Sequence, residues 1–336
     1  MSKILVTGGC GYIGSHTLVD LIDNGFEVVS IDNLINASEN ILDGVKAITG
    51  KTVQNYHIDL CDKAATRAVF QAHPDIAGII HFAALKYVGE SVEQPLRYFR
   101  NNLDSLLNIL ECMLEFGVKN IIFSSSCSVY GNATELPVTE STPFQNAESP
   151  YARTKQMGEH ILQDFCFQEK NTNAVILRYF NPAGAHESTL IGEAATAATN
   201  LVPVITETAA GKRASMTVFG ADYPTRDGSC VRDYIHVMDL ANAHTKAIQY
   251  LLANRQESNC ETFNLGIGEG VTVLEAIKAF EEVASQKLNY VIGPRRAGDV
   301  IAIYANNNRA TARLGWLAKR GISDIMRTAW EWEQKR

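Results

Sequence analysis

The 336-residue chain contains no apolar run that approaches membrane-spanning length, so no transmembrane helix is expected. It contains no block of basic residues, and its formal net charge is −7, which argues against a nucleic-acid partner. Its seven cysteines are odd in number and include no C-x-x-C pair. That pattern argues against a cysteine-based metal framework and fits a reducing, cytoplasmic setting. No internal repeat and no low-complexity segment interrupts the chain. The first residues, MSKILVTGG, enter a strand pattern at once, which predicts no signal peptide. What is present is an ordinary globular composition, 20% charged and 46% hydrophobic, on a chain long enough to bury a large core. An anionic small ligand would need its own cluster of Arg or Lys within this negative surface.

Short buried-strand patterns alternate with helical ones through the first half. KILVTG, EVVSIDN, VQNYHIDL, IAGIIHFAA, KNIIFSSS and AVILRYF read as strands. YIGSHTLVDLIDNG reads as a helix closed by Gly25, and further helical patterns lie near 62–73, 93–116 and 150–170. Continuous apolar strands joined by helices predict an α/β fold with a parallel sheet covered on both faces. After Asn181 the alternation breaks, and residues 182–232 show no clean period. RDYIHVMDLANAHTKAIQYLL then reads as a strand and a long helix that rejoin the first lobe. The expected division is a dinucleotide-binding lobe over 1–181, with 233–254 rejoining it. Residues 182–232 and 255–336 would form a smaller mixed α/β substrate lobe.

VTGGCGYIGSH places Gly8, Gly11 and Gly14 between a strand and the mouth of a helix. Glycine lets the backbone approach a pyrophosphate closely, and the helix amino terminus offers free N–H groups and a positive dipole end. Asp32 ends the second strand at the distance expected of a ribose-binding acid. Its charge would repel a 2′-phosphate, which favours NAD over NADP. The sheet is therefore expected to be a Rossmann-type, doubly wound one. Ligands of such sheets bind outside the carboxyl ends of the strands. Asp59, the run Phe82–Lys86 and Ser124–Ser126 all follow strand ends. Asp59 is a candidate for the adenine amino group, and Lys86 for the ribose or phosphate side of the cofactor.

SPYARTKQMGEHIL opens like a helix, with Ser149 as N-cap and Pro150 at the first position. Tyr151 and Lys155 are four apart and share one face of its first turn. Oxidation of an alcohol requires a base for the hydroxyl proton, and free tyrosine, with a pKa of about 10, is a poor one. A neighbouring ammonium and an oxidised nicotinamide would both favour the phenolate. Ser126 is placed to hydrogen-bond the reacting oxygen, and the adjacent Cys127 reads as a small semi-buried filler.

TGGCGYIGSH, DNL, HFAALKYVGESV, FSSSCSVYG, SPYARTK, LRYFNPAGAH and VRDYIHVMDL together resemble the extended short-chain dehydrogenase/reductase family. The match is closest to the branch that epimerises UDP-glucose and UDP-galactose at C4, and it runs the length of the chain. The resemblance implies a tightly held NAD, a 4-keto intermediate, and a homodimer built from the helices near 93–116 and 150–170. It gives Tyr151, Lys155 and Ser126 the chemical roles argued above. Cofactor contacts would come from Gly8, Gly11, Tyr12, Ile13, Gly14, Asp32, Asn33, Asp59, Leu60, Phe82, Ala83, Ala84, Lys86, Asn101, Ser124, Tyr151, Lys155, Tyr179 and Phe180. Substrate contacts would come from Lys86, Ser126, Tyr151, Asn181, Asn200, Leu201, Thr217, Val218, Phe219, Arg232, Tyr234, Arg296, Asp299 and Ile303. Arg232 and Arg296 are the pair a diphosphate requires.

The chain departs from the branch pattern at Ser105 and Leu106, at Ala198 and Thr199, and at Ile303. Ile303 stands where enzymes confined to UDP-glucose and UDP-galactose tend to have tyrosine. Activity on UDP-N-acetylglucosamine and UDP-N-acetylgalactosamine is the expectation attached to it. The competing readings are a sister nucleotide-sugar 4,6-dehydratase, a UDP-glucuronate decarboxylase, and a cofactor-sensing regulator without catalysis. The first two usually carry an acid beside the active-site Ser or Thr, where this chain has Cys127 and Ser128.

Overall fold

The computed structural model describes residues 1–194, 198–296 and 300–336. The chain runs β1 (Lys3–Thr7), α1 (Tyr12–Asp23), β2 (Glu27–Ile31), α2 (Ile41–Thr49), β3 (Gln54–Tyr56), α3 (Lys63–Ala72) and β4 (Ile76–His81). Then come α4 (Val88–Glu93), α5 (Pro95–Phe99), α6 (Ser105–Phe116), β5 (Asn120–Ser126), α7 (Pro150–Gln168) and β6 (Asn173–Tyr179). The second half holds β7 (Asn181–Ala183), α8 (Leu201–Ala209), β8 (Met216–Phe219), β9 (Val231–Arg232), β10 (Tyr234–His236) and α9 (Val237–Leu252). It ends with β11 (Cys260–Leu265), β12 (Val271–Thr272), α10 (Val273–Ala284), β13 (Tyr290–Gly293), β14 (Ala302–Ile303), α11 (Asn308–Leu314) and α12 (Ile322–Glu333).

Seven strands form one parallel sheet in the order β11-β6-β5-β4-β1-β2-β3. Side chains on successive strand residues point to opposite faces, so each strand feeds two cores. Ile4, Val6, Ile80 and Ile122 meet Leu18, Leu21, Leu240 and Ile248 on one face, where α1 and α9 pack. Leu5, Ile79, Ile121 and Phe123 meet Val69, Phe70, Leu106, Ile109 and Leu162 on the other, under α3, α6 and α7. The strand order reverses between β1 and β4, which opens a crevice at their carboxyl ends. A separate apolar core, with Val202, Ile205, Val218, Tyr234, Ile277, Phe280 and Met326, holds the smaller strands against α8, α10 and α12. None of the described helices is long and apolar enough to cross a membrane.

Three local expectations need correction, and a fourth gains detail. The helix expected near 93–116 runs from Pro95 to Phe116, with a π-turn at Arg100–Asp104 between α5 and α6. Pro95 stands at its first position, where a missing N–H costs nothing, and α4 ends just before it. The wider π-turn aims Asn102 inward, where its amide donates to the Leu85 carbonyl at 3.1 Å and the Thr154 hydroxyl at 3.0 Å. VQNYHIDL yields only the three-residue β3, because the chain turns toward α3 and Asp59. Helix α2 was not expected, since its short apolar pattern buries only Leu42 and Val45. Most consequentially, β11 belongs to the main sheet rather than to the smaller lobe, pairing with β6 from Cys260↔Ala174 to Leu265↔Tyr179.

The glycine turn shows why its residues are small. Gly8 has φ +72°, and a Cβ there would lie 3.0 Å from the Ala83 nitrogen. A Cβ on Gly14 would lie 2.1 Å from the Gly8 carbonyl oxygen and 2.8 Å from the Gly9 Cα. The turn and α1 can touch only without that atom. Gly14→Ala is expected to lower stability by about 1–3 kcal/mol, the usual cost of overpacking, read as a lower urea midpoint. An unchanged midpoint would contradict this packing.

Candidate active site

A cavity of about 600 Å³ lies along the carboxyl edge of β1 to β6. Every residue proposed from sequence for the cofactor lines it, from Gly8 and Tyr12 to Ser124, Tyr151, Lys155 and Tyr179, with the exception of Phe180. Phe180 is buried one layer away, with Val129, Tyr130 and Ile303. One wall was not foreseen. Leu190, Glu193 and Trp332 line it, and Ile35–Ile41 closes the far end. The segment after Asn33 follows a strand end and was open to the same argument as Asp59. Trp332 arrives from the last helix, and no local motif announces it.

The cavity's first end has the chemistry of a dinucleotide site. Helix α1 begins at Gly11 with no side-chain cap and no acid in its first turn, so its N–H groups stay available to an anion. Asp32 accepts from the Cys10 N–H at 3.0 Å and the Leu34 N–H at 2.9 Å. Burial raises its pKa, and the N–H groups of Leu34, Cys10 and Gly11 pull the other way. The glycine cradle, the uncapped helix and this acid fit a dinucleotide with ribose hydroxyls at Asp32. Asp59 lies on the same wall, its carboxylate accepting from the Cys61 N–H at 2.9 Å.

The other end brings the reacting groups together. Ser149 caps α7, accepting from the Ala152 N–H at 3.1 Å, with Pro150 at the first helical position. Lys155 is only 4% exposed, and its ammonium donates to the Ser124 carbonyl at 2.6 Å. Its Nζ stands 5.9 Å from the Tyr151 ring centroid and 5.1 Å from that of Phe123. Burial pulls the Lys155 pKa down to about 8, against the opposing charge of Glu159. A neighbouring ammonium and an oxidised nicotinamide are the two charges expected to lower the Tyr151 phenol. Within the protein itself burial instead pushes Tyr151 up to about 12, and the force acting downward is a hydrogen bond with Ser126. Ser126 is held in place by the Ser128 N–H, which donates to its Oγ at 3.2 Å. Burial raises the Cys127 thiol to about 12, in keeping with a filler.

The residues proposed for substrate lie mostly beyond this cavity, on the smaller strands. Asn181 pairs with Tyr234 across β7 and β10, and its Oδ1 is buried with no hydrogen-bond partner among the described residues. Asn200, the N-cap of α8, donates to Glu193 Oε1 at 3.2 Å, and Leu201 begins that helix. Lys86 reaches the same carboxylate oxygen at 3.6 Å, so Glu193 links the two lobes. Thr217, Val218 and Phe219 form β8, and the Arg296 guanidinium lies 5.6 Å from the Phe219 ring centroid. Val218 and Tyr234 send their side chains into the core, which leaves Val218 only its backbone to offer a ligand. Arg232 is paired in register with Ile303, and its charge is felt at Cys127, beside Ser126. Its sequence neighbour Asp233 is buried and accepts from the N–H groups of Ile267, Gly268 and Ala305 at 2.8, 3.2 and 3.0 Å. Asp239 takes the Arg320 guanidinium at 2.6 Å. Asp299 lies outside the described residues. No cluster of metal-ligating side chains occurs among the described residues.

Comparison with known proteins places this arrangement. A family model described as GDP-mannose 4,6 dehydratase matches residues 5–329. The UDP-glucose 4-epimerase of Bacillus subtilis is 46% identical, over 98% of this chain and 96% of its own. The crystal structure of the UDP-glucose 4-epimerase from Bifidobacterium longum, in complex with NAD+ and UDP, is 44% identical with a TM-score of 0.95. It covers 99% of this chain and 98% of its own. The UDP-Glc/GlcNAc 4-epimerase of Campylobacter jejuni is 36% identical, with a TM-score of 0.86 and full coverage of both chains. With this identity sustained end to end, the chain belongs to the UDP-glucose 4-epimerase family.

Proposed function

We propose that the chain interconverts UDP-galactose and UDP-glucose through a 4-keto sugar, in a cavity shared by tightly held NAD. The observation that carries this reading is that Tyr151 and Lys155 line the dinucleotide cavity together, with Ser126 hydrogen-bonded to Tyr151. NAD, when bound, supplies a hydride acceptor and donor together with a positive ring. Tyr151 takes the proton of the sugar 4-hydroxyl and later returns it. Ser126 hydrogen-bonds the same oxygen and holds it against the phenol. Lys155 supplies positive charge beneath both.

Magnitudes decide how much Lys155 does alone. Burial leaves the Tyr151 phenol at about 12, roughly five units above neutrality. One nearby cation is worth about 1–3 units. Lys155 and the positive ring of the bound cofactor would both act against that burial and favour the phenolate. A base that matures only in the loaded site is protected from idle proton exchange.

The two lobes divide the labour in this reading. The sheet and its helices hold the cofactor, while β7 to β10, β13 and β14 present Asn181, Arg232, Phe219 and Arg296 to the nucleotide sugar. Two arginines supply the local positive charge that a diphosphate needs. The sister reactions are disfavoured by Cys127 and Ser128, which provide no acid next to Ser126. Acceptance of 2-acetamido sugars belongs to the same proposal. Ile303 packs with Val129, Tyr130, Val138 and Phe180, and its own side chain brings no phenol ring or hydroxyl to that wall. The Campylobacter relative of that dual name supports it. Seven free thiols fit a cytoplasmic setting.

A homodimer completes the proposal. Val88, Val92, Leu96, Leu107, Leu114 and Met157 are exposed on neighbouring helices α4 to α7. Apolar exposure gathered this way marks an association surface. Light scattering is expected to give twice the chain mass, and the mass of one chain would refute the dimer.

The test of function is proton NMR of UDP-galactose incubated with purified protein and no added NAD. UDP-glucose should appear and settle to a constant ratio, and UDP-N-acetylgalactosamine should convert likewise, more slowly. Tyr151→Phe should reduce kcat by about 10²–10⁴-fold while leaving the cofactor bound. A 4-keto-6-deoxy sugar, carbon dioxide, or unchanged galactose signals even with NAD added would overturn the epimerase reading.

A further inference from the structure

Behind the reacting edge lies a buried ion pair that proton transfer does not use. Glu159 on α7 is fully buried, and Arg178 on β6 nearly so. Arg178 Nη2 donates to Glu159 Oε2 at 2.6 Å, and its Nε donates to Oε1 at 2.9 Å. The Ser125 hydroxyl donates to the same carboxylate. Arg178 Nη1 donates to the Tyr130 hydroxyl at 2.9 Å, which in turn donates to Asn264 Oδ1 at 2.6 Å on β11. The guanidinium also lies 5.0 Å from the ring centroids of Tyr130 and Phe144. Two ions taken out of water are costly, and packed apolar side chains would often serve stability as well. Stability is therefore a weak reason for this pair.

Its position is the stronger one. Ser125 stands between Ser124, whose carbonyl takes the Lys155 ammonium, and Ser126, which hydrogen-bonds Tyr151. Glu159 is one helical turn beyond Lys155 on the same face of α7. Arg178 immediately precedes Tyr179, which lines the cavity. We propose that Glu159 is a positioning residue, whose buried carboxylate grips Ser125 from behind the site and supplies the counter-charge to Lys155. This rests on the proton-transfer roles given above to Tyr151 and Lys155.

Around Lys155 stand the Ser124 carbonyl, the rings of Phe123 on β5 and Tyr151 on α7, His81 on β4, which feels its charge, and Glu159 on α7. Burial lowers His81 to about 3 and leaves it neutral, and it raises Tyr151, Tyr179 and Cys127, which are neutral too. Glu159 is then the anion that favours the ammonium, with Arg178 cancelling part of its field. Without it, Lys155 would shed its proton at lower pH.

The test is the pH dependence of kcat and KM for the holoenzyme, wild type against Glu159→Gln. In the wild type the rate should fall on the alkaline side, as Lys155, already lowered by burial, loses its proton. In Glu159→Gln that limb should move down by about one unit. At high pH kcat would then be about tenfold lower than wild type, with KM unchanged. A limb that stays in place, whatever the loss of rate or stability, overturns the proposal. If Glu159→Gln does not fold, Glu159→Gln with Arg178→Gln removes both buried charges. The same limb should then move down by about half a unit, and a fixed limb again overturns the proposal. A wild type with no epimerase activity would defeat the reading of Tyr151 and Lys155 beneath it, a result seen before any substitution is made.

Discussion

The ammonium of Lys155 is a charge held where burial opposes it, and much of the surrounding structure serves to keep it there. One carbonyl, that of Ser124, receives it at 2.6 Å. That carbonyl is fixed because β5 lies in the middle of a parallel sheet, between β4 and β6. The helix carrying the lysine is fixed at its start by the Ser149 cap and pinned one turn on by Asn102, which donates to Thr154. The π-turn that aims Asn102 inward is thus explained by the same requirement. A parallel sheet delivers all its strand ends to one edge, so polar groups that follow five different strands converge on a single crevice.

The chemistry then divides between what the protein supplies and what it leaves to its ligands. Burial makes Tyr151 a neutral phenol and Lys155 a lysine close to losing its proton. Neither state alone removes a proton from an alcohol at neutral pH. Positive charge arriving with the cofactor would supply the difference. In the proposed reading the second lobe works by a different principle, with Arg232 and Arg296 offering local positive charge in a protein whose net charge is −7. Glu193 ties the lobes, since Lys86 from the sheet edge and Asn200 from α8 meet on one of its oxygens.

Much of this was legible in the sequence where local rules are strong. The glycine turn, Asp32, the capped helix with Tyr151 and Lys155, and the buried strands each carry their reason within a dozen residues. The helix near 93–116 was legible as well, but not the π-turn inside it, because hydrophobic spacing does not register one extra residue in a turn. The place of β11 was misread because strand pairing is a long-range event, and a six-residue apolar pattern says nothing of its partner. Glu193, Trp332 and the Glu159–Arg178 pair were invisible for the same reason. Their roles arise from what folding brings beside them. The substrate-side residues were proposed from the family resemblance and from no spacing rule, and the geometry qualifies the proposal at Val218, whose side chain is spent on the core.

The central claim is that a reversible oxidation at one sugar carbon takes place wholly inside this cavity. The direct measurement is the fate of deuterium at C4 when UDP-[4-²H]galactose is converted in ordinary water. Full retention of the label at C4 of the UDP-glucose formed is the predicted result, because the hydrogen that leaves C4 returns to it without meeting solvent. Loss of the label to water would contradict the account, since it would mean that C4 gives up a proton and that the site works by a different chemistry.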